Sequence, residues 1–174
     1  MTQMSEAYFR QLMEDFGSLR QRVDRLERLE TKVYAPGARI THSANQSTTN
    51  NTNLTLAYDT SIENDSGYWS SGANTKLTIP AGYGGRHLVT LSLRWAANAV
   101  GYRLATVQLN GATPLAIDIR DSGASEVAQA ISFTRRFVAG DYIESYVRQT
   151  SGGALAVAAL SEYSPVLTIT RLGD

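Results

Sequence analysis

Leu88-Val89-Thr90-Leu91-Ser92-Leu93-Arg94-Trp95-Ala96 reads as a β-strand and sets the character of most of the chain. Val89, Leu91, Leu93 and Trp95 fall on one face and Thr90, Ser92 and Arg94 on the other, the alternation of a strand with one buried side. A one-residue slip would turn four large apolar side chains to water, so the register is strongly specified. The same grammar recurs downstream. Tyr102 to Leu109 places Ala105, Val107 and Leu109 inward and stops at Asn110-Gly111, a dipeptide favoured in tight hairpin turns. Leu115, Ile117 and Ile119 mark the next strand. Val127 to Phe137 is longer and turns at Gly140-Asp141 into Tyr142 to Gln149, with Ile143 and Val147 inward. Beyond Gly152-Gly153, Leu155 to Leu160 and Pro165 to Leu172 finish the chain. Arg135 stands at core parity between Phe133 and Phe137, which marks either a bulge or an arginine at a subunit interface.

Upstream, Ile40, His42 and Ala44 alternate with polar residues, and so do Leu54, Leu56 and Tyr58. Asn45 to Asn53 and Asp59 to Asn74 read as polar loops, the second carrying Tyr68 and Trp69. Leu77 to Ile79 is a short strand stopped by Pro80 and the glycines at 82, 84 and 85. Roughly ten such strands and no second helix predict an all-β chain folded as an antiparallel sandwich.

The residues before the sandwich follow another period. Phe9, Leu12, Phe16, Leu19, Val23 and Leu26 are spaced alternately three and four apart, a heptad seam with Phe9, Phe16 and Val23 at a and Leu12, Leu19 and Leu26 at d. Arg22 falls at g and Glu27 at the following e, where neighbouring parallel helices pair opposite charges. Asp15 and Arg20 repeat that relation one heptad earlier. Arg22-Val23-Asp24-Arg25-Leu26-Glu27 resembles the short motif associated with parallel trimeric coiled coils, and an overlapping copy starts at Arg25. The alternative is a single amphipathic helix packed on its own domain. That arrangement calls for a broader apolar face than this stripe, although Met13 and Leu29 widen it. About three heptads are marginal alone, so the body must supply most of the association energy. The chain thus divides into a coiled-coil stalk over 1–32, a connector over 33–37 punctuated by Pro36 and Gly37, and a head over 38–174.

Composition narrows the function. The 174 residues carry 43% hydrophobic residues, enough for a core, but only 18% charged ones, which are densest over the first 32 positions and thin out afterwards. Formal net charge is zero, so no basic field holds nucleic acid. Cysteine is absent, which removes disulfide staples and thiolate metal sites. No apolar run reaches the ~18 residues of a membrane span. Met-Thr-Gln-Met-Ser-Glu at the start lacks a basic n-region and an apolar h-region, so no signal peptide is expected. Release by lysis of a virus-producing bacterium would then carry the protein outside the cell.

With the strands laid out, particular fragments carry a resemblance: Ser66-Gly67-Tyr68-Trp69-Ser70, Asn74 to Pro80, Trp95 to Arg103, Leu109-Asn110-Gly111, Ala139 to Tyr142, Gln149 to Leu155 and Tyr163-Ser164-Pro165. In this order, over about residues 38 to 172, they resemble the complement-one-q-like globular heads of the tumour-necrosis-factor jelly-roll superfamily, in the version found in bacteriophage virion proteins and related bacterial chains. The resemblance implies a ten-stranded jelly roll, a tight homotrimer and a stalk joined at the N-terminal side. The chain lacks the collagen-like stalk and the cysteines of animal members, which argues against circulating immune recognition. Sequons at Asn45, Asn50, Asn53 and Asn64 arise readily in Asn/Thr-rich segments and carry little weight.

Reactive chemistry is thin. His42 and His87 are the only histidines, each on an expected strand and without a nearby acid–nucleophile pattern. There is no nucleophile elbow, phosphate-cradling loop or metalloprotease helix. Gly82-Tyr83-Gly84-Gly85 is a turn with no helix behind it to make an anion site. Asp59, Glu63 and Asp65 share a segment and could hold calcium, but their spacing fits solvated loop acids better than a calcium loop. No cofactor, metal or catalytic residue is expected. Tyr68 and Trp69 are candidate surface-binding aromatics, with the competing role of plugging one end of the sandwich. Tyr102, Tyr142 and Tyr146 lie opposite the core parity and are candidate knob-interface residues. The expectation is a non-enzymatic virion protein, assembled in the bacterial cytoplasm and shown on the particle surface. It is a short homotrimeric spike or fibre, attached to other virion proteins by the N-terminal helix, that binds a host glycan or envelope protein or decorates the capsid. A virion glycan depolymerase on the same trimer and a bacterial surface or spore adhesin are the rivals.

Overall fold

The computed structural model describes residues 6–33, 35–123 and 125–174, apart from the side chains of 7 and 28–33. The expected stalk positions 1–5, the Leu29 side chain and Tyr34 of the connector lie outside the described residues. The chain divides into two compact units, Met1–Ala35 and Pro36–Asp174. The first is a single helix, α1, Glu6–Val33, with Glu6 in the first turn, where a carboxylate suits the positive end of the helix dipole.

The second unit is a sandwich of twelve strands: β1 Gly37–Thr41, β2 Gln46–Thr48, β3 Leu54–Thr55, β4 Thr60–Asn64, β5 Lys76–Thr78, β6 Gly85–Trp95, β7 Tyr102–Leu109, β8 Thr113–Asp121, β9 Val127–Phe137, β10 Tyr142–Gln149, β11 Leu155–Val157 and β12 Val166–Gly173. A seven-stranded sheet runs β2-β11-β6-β12-β1-β4, with β9 on the other edge of β6. A five-stranded sheet runs β3-β10-β7-β8, with β5 beside β3 on β10. Each strand pairing is antiparallel.

The alternation in the sequence is the alternation of burial. Val89, Leu91, Leu93 and Trp95 of β6 meet Ala105 and Val107 of β7, Ile143 and Val147 of β10 and Leu167 and Ile169 of β12 in one core between the sheets. Sheet packing of this kind fills a layer about 10 Å thick with interdigitated side chains.

Two segments expected to be loops contain strands. Gln46–Thr48 pairs with β11, and Thr60–Asn64 pairs with β1. The expected strand through Leu54, Leu56 and Tyr58 buries Leu56 and Tyr58 fully but is laddered only at Leu54–Thr55. Beyond it, the Gln46 side chain stands in for a strand, with Nε2 donating to the Ala57 carbonyl and Oε1 accepting from the Ala57 amide, both at 2.9 Å.

Direction along the sheets separates two ends. At one, β1 begins and β12 ends, with Gly37 opposite Thr170 and the Arg171 amide bonded to the Pro36 carbonyl at 2.9 Å. The turns at 65–75, 80–84, 110–112 and 138–141 lie at this end. At the other end stand 42–45, 49–53, 96–101 and 150–154. Gly101, at φ +73, is required there, because a Cβ would fall 1.9 Å from the Thr150 carbonyl oxygen.

Candidate interaction surfaces

On α1 the seam residues Phe9, Phe16, Leu19, Val23 and Leu26 are 49% to 61% exposed, and Leu12 is half-buried. Tyr8 and Met13 lie exposed beside them. Arg22 and Glu27 are exposed on the flanks. A stripe of this width on a lone helix has its apolar surface in water, and covering it is the obvious chemical use of the element.

The sandwich presents two outward sheet faces of opposite texture. On the seven-stranded sheet, Thr90 and Ser92 of β6, Ala130 and Ser132 of β9 and Thr168 of β12 make a flat, small-residue surface. On the five-stranded sheet, Tyr102, Tyr142 and Tyr146 all point outward and are half-buried, but they do not gather. Tyr142 sits at the end where the chain enters, with Lys76 Nζ 4.5 Å above its ring and Gly111 so close that a Cβ would lie 3.0 Å from its hydroxyl. Tyr146 is mid-sheet, opposite Thr106, and Tyr102 is at the far end, opposite Asp121. Thr106 is fully buried although it points outward, with Tyr146 and Ile117 facing it from the adjacent strands. Ile117 and Ile119 of β8 mark the expected strand, yet they stand 53% and 60% exposed while Ala116 faces Val107 on the core side.

Tyr68 is not a surface contact. It is 1% exposed, packed edge-on against Tyr83 and His87, and its hydroxyl lies 3.1 Å from His87 Nε2. It plugs the sandwich at the end where the chain enters. Trp69 is half-buried against the core, its amide bonded to Asn64 Oδ1 at 3.0 Å while Asn64 Nδ2 returns a bond to its carbonyl at 2.9 Å. Strand β4 also separates Asn45–Asn53 from Tyr68 and Trp69, putting them at opposite ends, so they do not form one recognition surface. The same strand parts Asp59 from Glu63 and Asp65, since five strand residues span about 16 Å. The three carboxylates do not converge on a cation.

The titratable groups are used structurally. Burial pushes the Tyr68 hydroxyl up to about 12 against the pull of Arg171, and pushes Tyr58 higher still, against its 2.6 Å bond with Ser145. His87 is fully buried; that burial, with the Arg171 charge beside it, holds its imidazole below the usual value despite the bond to the Gly85 carbonyl. At the far end His42, Ser43 and Asp59 adjoin but do not form a relay. The Ser43 hydroxyl donates to Asp59 at 2.5 Å, and His42 Nδ1 is engaged by the Ala44 backbone, 2.9 Å from its carbonyl and 3.1 Å from its amide. Partial burial raises the Asp59 carboxyl, but hydrogen bonds from Ser43 and Thr60 and the His42 ring outweigh it and hold the group below its ordinary value.

Sequence reasoning passed over two buried polar residues. Arg103 is fully buried, its guanidinium donating to the carbonyls of Asn98, Val100 and Tyr102 at 2.8–3.0 Å and lying 5.9 Å over the Trp95 ring. Gln129 is 2% exposed, and its Oε1 accepts a hydrogen bond from the Trp95 Nε1–H at 2.8 Å. Both share core parity with their strand neighbours, a signal available in the alternation itself. Arg135 is exposed, and the β6–β9 ladder runs through it without a register shift, so it is not at a bulge.

No protein family matches the chain in a scan of family profiles, and no curated protein matches it. Solved structures do. Murine APRIL, in its pH 5.0 crystal structure, superposes with a TM-score of 0.61 at 11% identity, covering 80% of this chain and all 100% of that one. Eiger TNF from S. frugiperda superposes at 0.63 and 11% identity, covering 80% of this chain and 94% of that one. The sandwich is a tumour-necrosis-factor-type jelly roll. At this identity the likeness is one of fold, and the jelly roll's use must be argued from its own surfaces.

Proposed function

We propose that the chain is the subunit of a homotrimeric bacteriophage spike or fibre: the N-terminal helices form a parallel coiled coil that fastens the trimer to other virion proteins, and three jelly-roll knobs are displayed on the particle surface. The observation that carries this reading is the joining, in one short chain, of a helix with an exposed heptad seam to a jelly roll. A trimer buries the seam, and it gives the flat small-residue face and the outward Ile117 and Ile119 a protein surface to pack against. The virion reading is supported by the resemblance of Ser66–Ser70, Trp95–Arg103 and Gln149–Leu155 to phage heads. The protein binds without turnover, as an adhesin for a host glycan or envelope protein or as a capsid-decorating head fibre, and its avidity comes from three identical knobs. In this arrangement the recognition surface is the end of the sandwich opposite the start of β1, built from 42–45, 49–53, 96–101 and 150–154. Sedimentation equilibrium of the full chain at micromolar concentration tests the assembly. A trimer mass is expected, and a monomer or dimer refutes it. A low-resolution map of the intact particle locating the protein on capsid or tail tests the virion assignment.

A further inference from the structure

The unbroken β6–β9 register places Arg86 directly opposite Arg136 on the outward face of the seven-stranded sheet, and Arg135 opposite His87 on the inward face. Directly opposed residues hold their Cβ atoms about 4.5–5.5 Å apart, and like charges in that relation destabilise a sheet. Of the nine arginines in residues 36–174, six have acceptors within the chain. Arg94, Arg120 and Arg171 pair with Glu126, Asp118 and Asp174, Arg39 and Arg103 bond to carbonyls, and Arg148 bonds to Asn51. The other three, Arg86, Arg135 and Arg136, are exposed and make no side-chain hydrogen bond or ion pair among the described residues. They stand together on successive rungs of two adjacent strands. A neutral chain has no overall field to explain such a concentration.

We propose that Arg86 and Arg136 form a binding site for a multivalent oxyanion, a phosphate or sulfate group. Two adjacent guanidiniums offer planar forks of N–H donors that match a tetrahedral oxyanion, and a doubly charged ligand relieves the repulsion between them. Thr134, two residues from Arg136 along β9 on the same face and opposite the half-buried Leu88, adds an exposed hydroxyl. Arg135 raises the local positive potential from the other side of the sheet. Both arginines and Thr134 belong to one chain and stand at the Gly85 end of the sheet face that the trimer reading packs against a partner, so the site rests on that end staying open to solvent in the trimer.

The test uses the full-length protein and its Arg86→Gln/Arg136→Gln double variant, with thermal midpoints measured in inorganic phosphate and in chloride at matched ionic strength, and phosphate binding measured by calorimetry. Phosphate is expected to raise the wild-type midpoint by a few degrees beyond chloride. The double variant should lose that increment, bind phosphate at least about tenfold more weakly, and be no less stable than wild type in chloride. Arg148→Gln, which removes an arginine partnered within the chain, should retain the response. A long-chain polyphosphate arm separates the sources of the group: tighter binding per phosphate by the chain assigns the site to a phosphate-bearing polymer, and equal binding assigns it to the free ion. Absence of a phosphate effect in wild type, an equal effect in the double variant, or a marked loss of the variant's stability in chloride overturns the proposal. The last outcome would mean that these arginines already have acceptors in the assembled protein.

Discussion

Tyr68 and His87 meet inside the sandwich, hydroxyl to Nε2 at 3.1 Å, with both side chains essentially out of water. Because His87 Nδ1 donates to the Gly85 carbonyl at 3.0 Å, the neutral ring offers its lone pair at Nε2, and the Tyr68 hydroxyl donates to it. Protonation would put a charge in the core between cross-strand neighbours Arg171 and Arg135 and turn that bond around.

A pH dependence follows. The folded-state pKa of His87 is depressed below 6.5, so its contribution to stability is complete above about pH 6.5. As pH falls from there through the folded value, the unfolded chain takes up a proton that the folded chain resists, and stability declines. The depressed carboxyl of Asp59 acts in a separate window, below its ordinary 3.8. Denaturant midpoints measured from pH 8 to pH 5 should fall for wild type and run nearly flat in His87→Gln. An equal slope in both proteins would remove His87 from the account.

Gln129 is expected to be the costliest polar residue to lose. It accepts from Trp95 Nε1 at 2.8 Å and donates to the carbonyls of Asp118 at 2.8 Å and Arg103 at 3.3 Å, joining β9 to β6, β8 and β7. Gln129→Leu keeps the volume but strands a buried indole N–H and takes the amide donor from two carbonyls, for a loss of about 2–4 kcal/mol in urea unfolding. A loss below about 0.5 kcal/mol would mean that water replaces the amide.

The parts of this fold legible in the sequence are those whose alternation is apolar against polar. Strands β6, β7 and β10 bury one parity and leave the other half-buried, with Arg86 exposed and Thr106 buried as the exceptions, and their reading survives nearly residue for residue. Strand β4, Thr-Ser-Ile-Glu-Asn, is an edge strand with water on most sides and shows no such contrast, so only its pairing with β1 reveals it. Tyr68 is a different case. Its polar neighbourhood in sequence is compatible with a surface contact and with a plug at the sandwich end, and only Tyr83 and His87, which stand further along the chain, decide for the plug. The unpaired arginines were equally hidden, since which arginines have acceptors is a property of three-dimensional neighbours.

If the helices form a trimer, Leu19→Asp or Val23→Asp puts three carboxylates on its axis. Buried like charges of this kind cost several kcal/mol unless protonated. Helix content by circular dichroism and trimer mass should both fall, and lowering the pH toward the carboxyl pKa should partly restore them. Arg22→Ala should be milder, about 0.5–1 kcal/mol per chain, because a g-to-e pair remains largely solvated. Unchanged helicity and mass in the Asp variants would end the coiled-coil reading.

The two ends of the jelly roll should respond differently to substitution. Tyr68→Ala opens a cavity beside His87 and removes its hydrogen bond, and aromatic-to-alanine changes in a core cost about 3–5 kcal/mol. The melting temperature should drop sharply, and any loss of binding should track the unfolded fraction. At the far end, Val100 of 96–101 and Tyr163, in the turn that leads into the start of β12, are 57% and 52% exposed, and neither side chain makes a hydrogen bond among the described residues. Val100→Asp and Tyr163→Ala should leave the melting temperature within about 1 °C, since exposed substitutions away from special features are near neutral. If that end meets the host, either change should weaken adsorption of virus particles to cells severalfold. Normal adsorption by both variants, with stability intact, would move recognition off this end and favour the capsid-decorating role.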